Sequence, residues 1–374
     1  MKNKQYTIGT NALGYPETRN FAGHQYDEFT FKKVIDFYKI PSHLLFKING
    51  KINRKWQNSF NDFGLNGCHF FHFFNVLNEG HQPYLTTYET QLPRWRDTDI
   101  DFIKGLNLIE KTNCRQLIAL SQCAYEKQTE IIQRYRPELL DIIQQKNRVL
   151  LPPQPLFIND MNEKKSVNKK IVFTIVGADF FRKGGEAILR AFSVLLNKKS
   201  PVQLNIVSAL NHGDYVSKTT LQDLANAKAI IARYPDGINW MPSLSNTGVK
   251  ELLLKTDVAL LPSLAETFGY FTLEAQAAGC PVITTDIRAM PEINSNEKGW
   301  IIPIKESRYD IDLAHTEKAL STISEQLISL IEDIVNHPDI IKRKGAEGLL
   351  NIKQKHSPLQ HKETLYQLYK SIIN

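Results

Sequence analysis

The sequence predicts an α/β protein of two domains, the second a parallel, doubly wound sheet. Three observations carry this. The chain has 374 residues, more than one core of ordinary size takes and enough for two domains of about 150–200 residues. Its second half alternates short β-branched apolar runs with stretches of helical spacing, the pattern of parallel strands joined by crossover helices. Between the halves, Leu151-Pro152-Pro153-Gln154-Pro155 can continue neither a helix nor a central strand. The polar, Lys-rich residues 159–170 follow, and the whole stretch reads as an interdomain linker.

In the second half, Ile171–Val176 is a buried strand stopped by Gly177. Residues 184–196 have helical spacing at Ala187, Ile188, Ala191, Phe192 and Leu195. Val202–Val207 is the next strand, and a polar helix is expected over residues 217–233. Val258–Leu261 is a strand ending at Pro262-Ser263, and residues 270–278 form a helix stopped by Gly279. Strands at residues 281–285 and Gly299–Ile302 complete the series. The first half is less regular: Phe70–Phe74, residues 83–88 and residues 117–120 read as buried strands. The opening sixty residues show no strand–turn–helix signature, and residues 320–374 read as helices.

Composition narrows the function. With 42% hydrophobic and 23% charged residues, the chain is an ordinary globular protein rather than a disordered one. No apolar run reaches the ~20 residues of a membrane span, and the start lacks the apolar segment of a secretory signal. The cysteines Cys68, Cys114, Cys123 and Cys280 have no paired spacing, so they are expected as reduced thiols in a cytoplasmic protein. A net charge of +7 suits anionic partners such as nucleotide phosphates or acidic lipids. Any membrane contact is expected to be peripheral, on the inner face, and to weaken as salt screens it.

The strongest motif runs from Pro262 to Val282. A strand ends at Pro262, a loop carries Glu266 and Gly269, and a helix starts near Tyr270. Gly269 lets the backbone approach a ligand closely. The free N–H groups of a helix start, with the positive dipole end behind them, make a phosphate site. Glu274, about one turn into the helix, can accept hydrogen bonds from a diol, and Glu266 lies in the loop on the same side. A second motif, Gly177 to Glu186, sets Arg182 and Lys183 before a helix, where adjacent cations can neutralise a diphosphate.

The stretch from Ile171 to Ile302 resembles the retaining glycosyltransferases of family 4, the group 1 enzymes. Their signature is two glutamates separated by seven residues, as Glu266 and Glu274 are here. Thr284-Thr285-Asp286 and Met290-Pro291-Glu292-Ile293 match a polar stretch and a Pro-Glu pair of that family. Lys183-Gly184 matches its Lys-Gly turn, while Ala178 stands where an Arg usually follows the Gly, and Arg182 is the candidate replacement. The resemblance implies a GT-B architecture, two Rossmann-like domains with parallel sheets facing a central cleft. The first, residues 1–158, would bind the acceptor, with helix 359–374 packing back on it; residues 159–358 would bind the donor. It implies that Glu274 holds the donor ribose and Glu266 the donor sugar. Phe268, Gly269, Tyr270, Phe271 and Thr272 would lie near the sugar and diphosphate, and Arg182 and Lys183 would stabilise the leaving group. Relatives carry a His at the tip of the strand over residues 83–88; here the position is Glu89, a carboxylate for orienting the acceptor or facing developing positive charge.

Two rival motifs point elsewhere. Asp97-Thr98-Asp99 and Asp99-Ile100-Asp101 have the Asp-x-Asp form that holds Mn²⁺ in the other glycosyltransferase architecture, but no buried strand precedes them, and they read as a helix start. Cys68, His69 and His72 sit among phenylalanines and read as a buried strand rather than a metal cluster. The expected function is therefore transfer of a sugar from a nucleotide-sugar donor to a glycan or lipid-linked acceptor, in bacterial surface polysaccharide synthesis. No metal, no separate cofactor and no nucleic acid are expected. A nucleotide-sugar epimerase and a non-catalytic sugar-nucleotide-binding protein are the alternatives.

Overall fold

Short apolar runs flanked by turn residues set six parallel strands into each of two sheets. The computed structural model describes residues 4–164, 169–212, 219–304 and 317–373. The chain divides into a first unit, Met1–Pro153 with His356–Asn374, and a second, Gln154–Lys355.

The strands of the first unit are β1 (Tyr6–Thr10), β2 (Phe29–Lys33), β3 (Ser59–Phe60), β4 (Phe70–Phe74), β5 (Leu77–Asn78), β6 (Tyr84–Tyr88), β7 (Cys114–Ala119) and β8 (Asn147–Val149). The main sheet has the order β2-β1-β4-β6-β7-β8, parallel throughout, and β3 pairs only with β5. β4 and β6 are buried along their whole length, including the polar His72, Thr86 and Thr87, as central strands of a parallel sheet covered on both faces are. The unit's longer helices before the last are α1 (Lys39–Asn49), α2 (Asp99–Glu110) and α3 (Gln122–Tyr135). The opening residues do form strands. β1 carries Gly9, where a Cβ would lie 2.3 Å from the Phe71 ring, so close packing required a residue that weakens the strand pattern. β2 is an edge strand ending in Lys32 and Lys33, half open to water.

The second unit holds β9 (Ile171–Val176), β10 (Val202–Val207), β11 (Ile238–Met241), β12 (Val258–Leu261), β13 (Val282–Thr285) and β14 (Gly299–Ile302). Their order is β11-β10-β9-β12-β13-β14, again all parallel. Its helices are α4 (Gly185–Asn197), α5 (Leu221–Arg233), α6 (Asn246–Leu254), α7 (Tyr270–Ala277), α8 (Glu317–Asn336) and α9 (Asp339–Lys355). Of the helix expected over 217–233, residues 217 and 218 lie outside the described residues. The edge strand β11, four residues with exposed Asn239, had no legible pattern.

The division falls at Pro153, five residues before the expected boundary, and residues 159–164 are no free linker. Phe157 and Ile158 donate backbone N–H groups to Ala277 O. Lys164 Nζ donates to Leu253 O and Ala278 O, each at 2.8 Å, and lies 2.9 Å from Cys280 Sγ. Its ammonium thus closes the carboxyl ends of α6 and α7, where unpaired carbonyls and the negative dipole end favour a cation.

The last helix, α10 (Pro358–Ile373), belongs to the first unit. Tyr369 is buried among Phe29, Phe70 and His72. His72 Nδ1 lies 2.8 Å from Tyr369 Oη, and His72 Nε2 2.9 Å from Thr87 Oγ1. His24 Nε2 meets His361 Nδ1 at 3.0 Å, and Lys370 pairs with Glu28 at 2.9 Å. Among the described residues no helix is long and apolar enough to cross a membrane, and the four cysteines are buried and free.

Burial, with help from a neighbouring cation or imidazole, pushes His72 and His361 down to about 3 and His24 to about 4. Unfolded, each takes up a proton near pH 6.5. Between these values the unfolded chain binds more protons, so these groups make stability fall as pH drops from about 6.5 to 4. Urea midpoints measured across that range should fall more gently in His361→Gln than in the parent. Parallel slopes would remove the histidines from the account.

Candidate functional site

In the second sheet the strand order reverses between β9 and β12, and loops leaving such a switch point at the carboxyl ends form a crevice. Here those loops are tied together. Arg182 O accepts the Leu264 N–H at 2.9 Å, and Arg182 Nη1 donates to Ala265 O at 2.6 Å. Phe180 and Phe181 are buried beneath the first loop. Gly184 has φ +82°, and a Cβ there would lie 2.2 Å from Pro262 O. Only glycine permits both that backbone turn and that approach.

This closure sets Lys183 Nζ 3.0 Å and Arg182 Nη1 3.8 Å from Glu266 Oε2. The Glu266 side chain is only 10% exposed. Burial by itself pushes its carboxyl up. The charges of Lys183 and Arg182, the Lys183 hydrogen bond and the Thr267 N–H outweigh that and hold it below the usual range. Arg182 also donates to Asp179 Oδ2 at 3.0 and 3.2 Å. Both cations are thus paired with carboxylates, a pairing that the sequence reading did not include for Asp179, although a carboxylate three residues before an Arg was its available signal.

Gly269, at φ +91°, starts α7, and a Cβ there would lie 2.7 Å from Met290 Sδ. Phe268 and Phe271 are buried, so only their backbone is left to meet a ligand; Tyr270 and Glu274 are half-buried. Glu274 stands in the second turn of α7. Thr272 is fully buried, and among the described residues its Oγ1 and the Oγ of Ser263 have no hydrogen-bond partner. Buried hydroxyls of this kind are expected to find water or a ligand. Thr285 Oγ1 donates to Ser263 O at 2.6 Å and fixes the loop after β12 from the neighbouring strand. The structure therefore gathers Arg182, Lys183, Glu266 and the start of α7 at one end of one sheet.

Glu89 follows β6 in the first unit, at the carboxyl end of that sheet. It is mostly buried and pairs with Arg94 at 3.1 Å, and its backbone N–H donates to Asn75 Oδ1 at 3.1 Å. Asp99 and Asp101 lie in the first turn of α2, with Thr98 as cap. His72 serves the buried contact with Tyr369, and among the described residues no group of three His, Cys, Asp or Glu is arranged to hold a metal ion.

Residues 157–313, a stretch that falls within the second unit, match the family model described as Glycosyl transferases group 1. The chain is 29% identical over 137 residues to an uncharacterised glycosyltransferase of Methanocaldococcus jannaschii, covering 36% of this chain and 32% of that protein. It is 24% identical over 190 residues to D-inositol 3-phosphate glycosyltransferase of Rhodococcus erythropolis, covering 50% of this chain and 41% of that protein. The matched stretches thus span well under half the length of these relatives. Among solved structures, HepE of Anabaena in complex with UDP-glucose superposes with a TM-score of 0.58 at 11% identity, over 98% of this chain and 100% of that one. At that identity the likeness is one of fold, the GT-B fold of two parallel-sheet α/β units.

Gly184→Ala should test the closure of the two loops. A Cβ forced against Pro262 O in a left-handed turn is expected to cost about 1–3 kcal/mol or more in urea unfolding. A cost below about 0.5 kcal/mol, the level of an ordinary surface change, would mean that the loops do not need this approach.

Proposed function

We propose that this chain is a glycosyltransferase that moves a sugar from a nucleoside-diphosphate sugar to a glycan or lipid-linked acceptor, with retention at the anomeric carbon, in bacterial surface polysaccharide assembly. The observation that carries the reading is the meeting of Lys183, Arg182 and Glu266 beside the start of α7, at the switch point of a parallel sheet. The group 1 match of the second unit supports it, as does the UDP-glucose bound by HepE, which shares the fold.

In this reading the diphosphate lies at the start of α7, where first-turn N–H groups and the helix dipole favour an anion. The Thr272 hydroxyl is a further donor there. Glu274 accepts from the ribose diol. As the bond from the anomeric carbon to the diphosphate breaks, charge grows on the leaving oxygen, and Lys183 and Arg182 turn part of their charge from carboxylates to it. Glu266, so released, accepts from hydroxyls of the donor sugar. The acceptor hydroxyl makes the new bond to carbon, and its proton leaves with the nucleoside diphosphate. The two cations supply the electrostatic stabilisation for which other glycosyltransferases use Mn²⁺. Glu89 acts as a carboxylate toward the acceptor or toward positive charge in the transition state.

A panel of sugar nucleotides should raise the melting temperature for one donor class by mass action, and that donor should turn over in excess EDTA only when an acceptor is present. Donor turnover without acceptor would favour an epimerase, and loss in EDTA with recovery in Mn²⁺ would return the Asp97 to Asp101 motif to consideration.

Two substitutions should separate binding from transfer. Glu274→Ala should weaken donor binding by about 1–3 kcal/mol in calorimetry, the range for hydrogen bonds to a charged group. Glu89→Gln should leave donor binding nearly unchanged and lower turnover ~10²-fold. Unchanged donor affinity in the first, or normal turnover in the second, would remove that residue from its role.

A further inference from the structure

Helix α1 faces the wrong way for a helix that serves only its own core. An amphipathic helix of a globular domain turns its apolar stripe inward. In α1, Ile40, Leu44 and Ile48 share one face at four-residue spacing and are 62%, 59% and 71% exposed. No residue of this helix is fully buried. The chain around it is cationic: between Asp36 and Asp62 it contains Lys39, Lys47, Lys51, Arg54 and Lys55 and no acidic residue. Lys47 lies beside the apolar stripe, and Lys51 follows the Gly50 cap, which is in the left-handed conformation.

We propose that α1 is a membrane-docking helix whose occupant is an anionic lipid surface. An apolar face flanked by lysines is the arrangement that lies in a bilayer interface, apolar side chains below the headgroups and ammonium groups among them. The charge selects this occupant over a second copy of the chain, because a two-fold contact would set the same cationic segment against itself. Net charge alone implies a peripheral, electrostatic contact; the structure adds an apolar component at a defined place. The location bears on function. Lys39 Nζ donates to Asn11 O at 2.6 Å, just past the carboxyl end of β1. Docking therefore brings the ligand-binding end of the first sheet toward lipid, which suits a lipid-linked acceptor; that last step rests on the proposed transfer reaction, whereas the docking itself does not.

Vesicle sedimentation tests the helix without any sugar nucleotide. The protein should pellet with phosphatidylcholine vesicles containing phosphatidylglycerol and much less with phosphatidylcholine alone. Lys47→Glu with Lys51→Glu should lower binding about tenfold or more, since each basic residue near an anionic surface is worth about fivefold. Leu44→Ser with Ile48→Ser should also lower it about tenfold, and only this variant should lose all binding at high salt. Both pairs are exposed, and unchanged melting temperatures and donor affinities would exclude misfolding. Equal binding by the serine variant and the parent, or no vesicle binding by the parent, would overturn the proposal. So would a dimer in light scattering that the serine variant converts to a monomer.

Discussion

A carboxylate shut away between two cations is the interaction on which the candidate site depends. Glu266 has little access to water, and an isolated buried carboxylate would be expensive. Lys183 at 3.0 Å and Arg182 at 3.8 Å keep it ionised. Removing one partner of such a buried set leaves the rest uncompensated, which is why these groups stand or fall together. The pairing also holds the geometry. It joins the loop after β9 to the loop after β12, at the point where the sheet order reverses, and the backbone bond from Leu264 to Arg182 does the same.

Glycine is what permits that junction. At Gly184 the chain needs a left-handed turn and contact with a neighbouring carbonyl at once. Gly269 meets a similar demand at the start of α7, where Met290 packs against it. These two residues bring cations, carboxylate and helix start to one edge of the sheet. The ends of α6 and α7 are then closed by Lys164, a residue reached from the segment that joins the units in sequence. Cations thus act in three different ways here: around a buried carboxylate, on orphan carbonyls, and on the open face of α1.

The first unit solves a different problem. Its sheet is lined with aromatic side chains, and α10, from the far end of the chain, covers part of it through Tyr369 and a set of neutral histidines. The net charge of +7 is not evenly spent: the stretch between Asp36 and Asp62 holds five cations and no acid. A whole-chain charge cannot reveal that concentration, nor that apolar side chains stand exposed within it.

Local pattern alone made β9, β10, β12, β13 and β14 and helices α4, α5 and α7 legible, because buried parallel strands are continuous apolar runs and their helices repeat at 3.6 residues; the edge strand β11 and the short helix α6 were not legible. The sequence by itself also determined which charged residues lie beside a strand end and a helix start, since Gly269, Gly279 and the prolines mark those ends locally. The first sixty residues hid β1 and β2, because Gly9 is required by the Phe71 ring and β2 is a half-exposed edge strand. Residues 159–164 read as linker because polarity alone does not tell a solvated lysine from Lys164, whose partners lie 89 and 114 positions away. Folding in three dimensions set Lys183 and Arg182 against Glu266, more than eighty positions away, paired Glu89 with Arg94, and turned the apolar stripe of α1 outward. Each depends on side chains meeting, or failing to meet, across the fold, and periodicity along a chain reports which residues share a face but not what that face touches.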